Sequence, residues 1–158
     1  MKKFEFTGET KTISLLFRTA TLHRIRAVAE FGLVKIGDLG GWIEKEENLS
    51  HEGKAWVWGD AKVWGNAKVC GDAEVFSASH VLVIGAIGSR DDFTTFFRDK
   101  DNEITVKCGC VLGKIDKFLE KVTQTHGDSK YALVYRAAVE VARLQIDLSG
   151  EAPKDADE

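Results

Sequence analysis

Residues 53–82 read GKAWVW GDAKVW GNAKVC GDAEVF SASHVL, five units that repeat every six residues. In each unit the third residue is small and the fifth is valine; these positions are Ala55, Ala61, Ala67, Ala73 and Ser79, and Val57, Val63, Val69, Val75 and Val81. Side chains two positions apart on an extended backbone share a face, so we expect both sets to point inward. Because Gly or Ser opens each unit, the chain can turn every six residues. The pattern therefore predicts a narrow parallel coil.

The repeat resembles the hexapeptide of left-handed parallel β-helices, in which three units form one triangular turn of about 18 residues. Ile43 and Leu49 keep the phase of the inward valines upstream, and Ile87 and Phe93 keep it downstream. We therefore predict a mainly β protein with C-terminal helices. Its core is expected to be a short left-handed parallel β-helix of a little over two or three turns, followed by a helical hairpin.

Changes in periodicity, rather than linkers, divide the chain into parts. The expected parts are an N-terminal β cap (1–36), the hexapeptide-repeat β-helix with a terminal strand (37–112), a helical pair (113–148) and a disordered polar tail (149–158). The terminal strand is ITVKCGCVL, whose alternate residues are expected to share one face. The apolar residues of KIDKFLEKVTQT follow the i, i+3, i+4, i+7 spacing of an amphipathic helix. Asp128 is expected to cap a second helix, which is apolar around much of its circumference and should be buried on more than one side.

Composition sets mild limits on function. The chain has 158 residues, 44% of them hydrophobic, and a net charge of −3. This balance supplies no basic footprint for duplex nucleic acid. There is no apolar run of membrane length and no apolar signal-peptide core, and three cysteines, an odd number, argue against a disulfide framework. We expect a protein of the bacterial cytoplasm that makes no membrane contact.

Large apolar side chains occupy positions that should face out of the coil. The residue after each inward valine is Trp58, Trp64, Cys70 or Phe76, and Trp56 is expected to point outward within its own unit. Since every third unit lies on the same wall, Trp58 should stack near Phe76 and Trp64 near Leu82. Large apolar groups on outer walls call for a covering surface. We expect Trp56, Trp58, Trp64 and Phe76 to form the interface of a homotrimer. The alternative is cover by the chain's own cap or helices.

A resemblance extends beyond the repeat. The segments TLHRIRAVAEFGLVKIGDLGGWIEKEENLSHEG and IGAIGSRDDFTTFFRDKDNEITVKCGCVLGKIDKFLEKVTQTHGDSKYALVYRAA look like a family of small hexapeptide-repeat proteins of phages and prophages of Gram-positive bacteria. The resemblance implies the fold and a phage setting. It implies no reaction.

The segment where the repeat ends, IGAIGSRDDFTTFFR, supplies groups that hold phosphorylated ligands: open glycine amides, hydroxyls, two guanidinium groups and aromatic rings. The predicted ligand-binding residues are Ser89, Arg90, Thr94, Thr95, Phe97 and Arg98. His126, Lys130 and Tyr131, at the turn between the helices, are added as ligand contacts at the end of the coil. The alternative is a solvated salt-bridge cluster of the two arginines with Asp91 and Asp92.

An enzymatic alternative rests on His80. Many hexapeptide-repeat proteins are acyltransferases in which one histidine acts as general base and acyl-coenzyme A lies in the groove between coils. His80 lies between inward Ser79 and Val81, so it should point outward, as that role requires. Cys108 and Cys110 could hold zinc together with a histidine, but buried thiols are the expected state of these cysteines, so we predict no metal and no cofactor.

The function that the sequence favours is a phage-encoded, non-enzymatic protein that sequesters a small anionic or nucleotide ligand, with a role against host antiviral defence. A host defence protein is the alternative partner. The acyltransferase and a structural scaffold protein are the alternative functions.

Overall fold

The computed structural model describes residues 2–149. Within this range the strands are Phe4–Ser14 (β1), Thr19–Ala27 (β2), Leu39–Ile43 (β3), Trp56–Val57 (β4), Lys62–Val63 (β5), Glu74–Val75 (β6), Val81–Ile87 (β7), Asp92–Arg98 (β8), Ile104–Cys108 (β9) and Val111–Lys114 (β10). The helices are Ile115–His126 (α1) and Lys130–Gln145 (α2). The protein is thus mainly β with two C-terminal helices, as predicted. Short 3₁₀ turns cover Glu46–Asn48 and Ala78–His80.

The middle of the chain is a coil of short parallel strands. Trp56 of β4 lies opposite Glu74 of β6, 18 residues further on. In the preceding turn β3 pairs in parallel with β5, and Leu49 pairs in parallel with Val69. The third and fifth positions of the first four units point inward as predicted, because all eight alanine and valine side chains are buried.

The regular repeat ends one unit earlier than the sequence predicts. Gly59, Gly65 and Gly71 open their units with positive φ values of 54°, 67° and 64°. Glycine adopts this left-handed backbone without a Cβ penalty. Ser77 opens the fifth unit at φ −157°, and its Oγ accepts a hydrogen bond from Ser79 N. Without the left-handed corner the chain leaves the coil at β7, so the downstream phase assigned to Ile87 and Phe93 is wrong.

Both ends of the coil are covered. The β1–β2 hairpin adds Phe4, Ile25 and Ala27 to the coil core at one end. Strands β7 to β10 form an antiparallel sheet in the order β10-β9-β8-β7 at the other end. Phe97 of this sheet belongs to the coil core, and Ala73 forms an antiparallel bridge with Asp99.

Strand β8 is buried on both faces, which makes the sheet the middle layer of three. Thr95 Oγ1 on one face accepts a hydrogen bond from Lys68 N of the coil, 3.0 Å away. Phe96 on the other face meets Phe118 of α1 edge to face. A second core cluster is formed by this face of the sheet and the two helices.

Three local predictions are wrong. The segment ITVKCGCVL is a hairpin rather than one strand, because Gly109 turns the chain at φ 57° between β9 and β10. The N-cap of α2 is Ser129 and not Asp128, whose carboxylate instead lies 3.4 Å from Arg136 Nη1. One face of α2 is buried, whereas Leu133 and Leu144 on the other face are exposed.

No helix within residues 2–149 is long and apolar enough to cross a membrane. The predicted polar tail lies outside the described residues, apart from Ser149.

Candidate functional site

The structure separates the two arginines of the predicted ligand site. Ser89 and Arg90 lie exposed in the turn between β7 and β8, whereas Arg98 ends β8. Seven extended residues at about 3.3 Å each place the Cα atoms of the two arginines roughly 20 Å or more apart. Arg98 is also 1% exposed, so a ligand at the surface beside Arg90 cannot contact both arginines.

The β8 residues of that prediction are packing residues. Thr94, Thr95, Phe97 and Arg98 are each no more than 1% exposed. Thr94 Oγ1 donates to Cys108 Sγ at 3.4 Å. The guanidinium of Arg98 donates through Nε to Asn102 Oδ1 at 2.7 Å and lies over the Phe76 ring. These side chains join the sheet to its two neighbouring layers and are closed to solvent.

The exposed residues of the predicted ligand site lie on one surface, where the β7–β8 turn packs against the start of α2. Gly88, beside Ser89 and Arg90, packs directly against the hydroxyl of Tyr135 of α2. His126 stacks on Tyr135, and the ring of Tyr131 lies 5.7 Å from that of His126. Burial raises the pKa of Tyr135 to about 12, an effect that Cys108 and Asp92 reinforce. Lys130 begins α2 and is exposed. These residues form a surface patch that combines aromatic rings with basic side chains.

The outward aromatic residues divide into a buried and an open group. Trp56 is 1% exposed and meets Phe31 edge to face, so its assignment to a subunit interface is wrong; the chain's own cap covers it. Trp58 stacks on Phe76 as predicted, and both remain partly open to solvent. Trp64 is half-buried and shares a cavity of about 290 Å³ with Leu82.

His80 is not placed as a general base. It is 7% exposed, and its Nδ1 accepts a hydrogen bond from Phe76 N at 2.9 Å. Burial lowers the pKa of the imidazole, and the nearby Arg98 lowers it further. The expected solvent-facing position is therefore wrong, and the acyltransferase alternative gains nothing from it.

A further concave site lies elsewhere, on a coil wall beneath the β9–β10 hairpin. It is a cleft of about 670 Å³, a volume typical of small-molecule sites. Its apolar floor is formed by Cys70 and Leu112, above the buried Leu49 and Val69, and its charged and polar rim includes Glu46, Glu47, His51, Glu52, Lys68 and Lys107.

Two lysines line the sheet side of the cleft. The backbone N–H of Lys68 donates to Thr95 Oγ1, and Lys107 lies directly opposite Thr95 in the β8–β9 pairing. Opposite residues of an antiparallel pair share a face, so the Lys107 side chain points toward the coil with that of Thr95. Within residues 2–149 neither lysine has a carboxylate at ion-pair distance. The cleft therefore contains two lysines that form no direct ion pair, while Glu46, Glu47 and Glu52 line its other side.

The floor of the cleft is unreactive. Burial raises the pKa of the Cys70 thiol, although the ammonium groups of Lys107 and Lys3 partly oppose this effect. A thiol with a raised pKa remains protonated and is a poor nucleophile. Cys70 thus contributes an apolar surface rather than chemistry.

None of the residues that line this cleft was predicted to be a ligand-binding residue. Lys68 precedes inward Val69, so its outward direction could be predicted, but outward lysines are common. Lys107 reaches the cleft only because β9 packs across the end of the coil, which no local pattern encodes. His51 has no pattern around it, yet its Nδ1 accepts from Lys3 N at 3.0 Å and its ring stacks on Phe4.

No protein-family model matches the chain, and no curated protein is significantly similar to it. Within residues 2–149 no group of three or more His, Cys, Asp or Glu side chains is arranged to hold a metal ion. Function is therefore argued from the geometry of the cleft.

Proposed function

We propose that this protein is a non-enzymatic binding protein that sequesters a small phosphorylated ligand of the nucleotide class in the cleft beneath the β9–β10 hairpin. We further propose that its coil is a left-handed parallel β-helix, that three copies assemble around it, and that it acts in the cytoplasm of a phage-infected bacterium against host defence.

The single observation that carries the binding proposal is a cleft of about 670 Å³ lined by Lys68 and Lys107, neither of which forms an ion pair with a carboxylate among residues 2–149. An anion bound in the cleft would be attracted by both ammonium groups, neither of which is engaged in an ion pair. The apolar floor adds contact area for the rest of the ligand. Phosphate is an anion that lysine binds as a point charge.

Sequestration is favoured over catalysis by the state of the ionisable groups. Cys70 is held as a protonated thiol, and His80 is buried with Nδ1 already accepting a hydrogen bond. A nucleophile or general base must be activated and must reach its substrate. Neither residue meets both requirements.

Two observations support the trimeric β-helix. The 18-residue offset between Trp56 and Glu74 equals three six-residue units, as a triangular coil requires. Trp58 and Phe76 form a partly exposed aromatic surface on one wall, and such surfaces are enriched at interfaces. The phage setting and the role against host defence rest on the resemblance of the two segments that flank the repeat.

Titration calorimetry tests the binding proposal. The full chain is titrated with ribose 5-phosphate and with AMP, GMP, CMP and UMP. Lys68→Ala or Lys107→Ala should each weaken binding roughly ten-fold or more, because a charged hydrogen-bonding partner contributes about 1.5–3 kcal/mol. Lys54→Ala and Lys121→Ala remove exposed lysines outside the cleft and serve as controls.

Nucleotide released by heating the complex should be chemically unchanged. Turnover of the bound nucleotide would make the protein an enzyme. Wild-type affinity in the Lys68→Ala/Lys107→Ala double variant, or no binding of any of these phosphates, would overturn the assignment of the site.

A further inference from the structure

We infer that the cleft selects a two-ended ligand: its anionic group lies at Lys68 and Lys107, and a hydrogen-bond-donating group, such as the exocyclic amine of a nucleobase, lies at the carboxylates of the opposite side. This inference rests on the proposed binding function and specifies the chemical class of the ligand.

The carboxylate side of the cleft is built on the short 3₁₀ turn Glu46–Asn48. Asn48 is fully buried, and its side-chain amide donates to Gly65 O and Ala67 O of the next turn of the coil. Its Oδ1 accepts from Lys45 N at 2.9 Å. The turn that presents Glu46 and Glu47 is therefore fixed to the coil by two hydrogen bonds and closed internally by a third, rather than being a free loop.

Glu46 is further oriented by His51. Because His51 Nδ1 accepts from Lys3 N, the ring proton of the neutral imidazole is on Nε2, which lies 3.1 Å from Glu46 Oε1. The ring is itself fixed by its stack on Phe4, 4.1 Å between centroids. One carboxylate oxygen of Glu46 is thus occupied, and within residues 2–149 no side chain or backbone group donates to the other, Oε2.

The ladder of the coil sets the spacing between the two ends of the ligand. Leu49 pairs with Val69, and Ser50 N donates to Val69 O at 2.9 Å. Lys68 therefore lies on the strand next to the turn that carries the carboxylates. Lys107 lies on β9, in the antiparallel sheet that covers this end of the coil. Neighbouring strands are about 4.8 Å apart, so the anionic and donating groups of the ligand should be separated by about 5–10 Å.

A purely anionic ligand fits this cleft poorly. It would gain the two lysines but would face Glu46, Glu47 and Glu52, which line the same space. Repulsion between like charges disfavours the binding of such a ligand, whereas a donor at these oxygens forms hydrogen bonds with them. The carboxylates thus select for the second end of the ligand.

The test compares AMP, GMP and CMP, which carry an exocyclic amine, with ribose 5-phosphate, which has the phosphate alone. We expect at least one of the three nucleotides to bind the wild-type chain ten-fold or more tightly than ribose 5-phosphate. In the variant E46Q/E47Q/E52Q that preference should fall several-fold, while ribose 5-phosphate should bind equally or more tightly. The variant E9Q/E30Q/E120Q removes the same charge from exposed positions outside the cleft and should keep the preference.

Two results overturn the inference while leaving the binding function intact: ribose 5-phosphate that binds in a Lys68- and Lys107-dependent manner as tightly as every nucleotide, or a preference that the cleft glutamine variant retains in full. If none of these phosphates binds to the wild-type chain, the proposed function and this inference fall together.

Discussion

Trp58 and Phe76 stack with parallel rings, 5.5 Å between their centroids and 7° between their planes, although 18 residues separate them. Their strands pair in parallel with the same offset, so this turn of the coil takes three repeat units. Arg98 of the antiparallel sheet lies 5.6 Å above the Phe76 ring, and the stack therefore continues from the coil into the layer that covers it.

Replacing Trp58 and Trp64 with serine tests the proposed subunit interface. We expect the double variant to elute as a single chain from a size-exclusion column and to keep its β circular dichroism, because the valine core is untouched. An aromatic residue at the centre of an interface can contribute roughly 2 kcal/mol or more. Trp56→Ser is the control, since that buried ring should affect folding instead. A Trp58/Trp64 variant that remains assembled but melts at a lower temperature would place these rings within their own chain only.

Val63→Asp should prevent folding. Val63 is 2% exposed inside the coil, where a carboxylate finds neither water nor a partner, and a buried unpaired charge costs several kcal/mol. The expected result is insoluble or unfolded protein, as judged by circular dichroism of the soluble fraction. Asn66→Asp introduces the same charge at an exposed position and should melt like the wild type. Cooperative wild-type melting of Val63→Asp would show that the inward phase is misassigned.

Gly88→Ala and Gly59→Ala form a matched pair. Both glycines have positive φ, 81° and 54°, so each alanine carries a backbone cost of about 1 kcal/mol. A Cβ at Gly88 would also lie 1.8 Å from the Tyr135 hydroxyl, whereas nothing lies within 4 Å of one at Gly59. Chemical denaturation should show a loss at Gly88 that exceeds the loss at Gly59 by about 1–3 kcal/mol. Equal losses would mean that the β7–β8 turn does not pack on α2.

Stability should fall as pH rises toward neutrality because of Glu74. Burial raises the pKa of this carboxyl to about 7, although Trp58 Nε1 donates to it at 2.5 Å and opposes the rise. A carboxyl whose pKa is higher in the folded protein binds more protons there, so its contribution is complete below about pH 4.5 and is lost as the pH rises through about 7.

Urea denaturation of the wild type and Glu74→Gln at about pH 5 and about pH 8 measures that contribution. The glutamine variant should gain about 1–2 kcal/mol relative to the wild type between the two conditions, a value reduced for the partial exposure of the group. Glu9→Gln, on the exposed side of β1, should show no such gain. If the difference in unfolding free energy between the wild type and Glu74→Gln is the same at both pH values, Glu74 does not titrate between them and the prediction is wrong.

The coil and the helices were predictable because each is specified locally. Alanine and valine at positions three and five determine the inward face, and the spacing of Ile115, Phe118, Leu119 and Val122 indicates α1. The sequence also indicates where the repeat ends, because Ser77 replaces the corner glycine. The valine pattern nevertheless continues at Val81, so it predicts one repeat unit too many. Period-two patterns do not distinguish a coil strand from the antiparallel strand β7.

The site could not be predicted for a different reason. Arg90 and Arg98 lie eight positions apart, a spacing that would bring them together on a compact loop but separates them along a strand. Lys68 and Lys107 lie 39 positions apart and line one cleft only because Thr95 joins the sheet to the coil. Contacts between layers depend on how the sheet packs on the coil, and no periodicity of one segment contains that information.

Hydrogen–deuterium exchange of the full chain, with and without the phosphorylated ligand that binds most tightly in calorimetry, tests the central claim most directly. If the cleft holds the ligand, amides of residues 46–54, 68–71 and 105–112 should exchange more slowly in the complex, and the Lys68→Ala/Lys107→Ala variant should lose that protection. Protection confined to residues 88–91 and 126–131 would instead assign binding to the surface around Arg90 and His126, and would contradict the cleft.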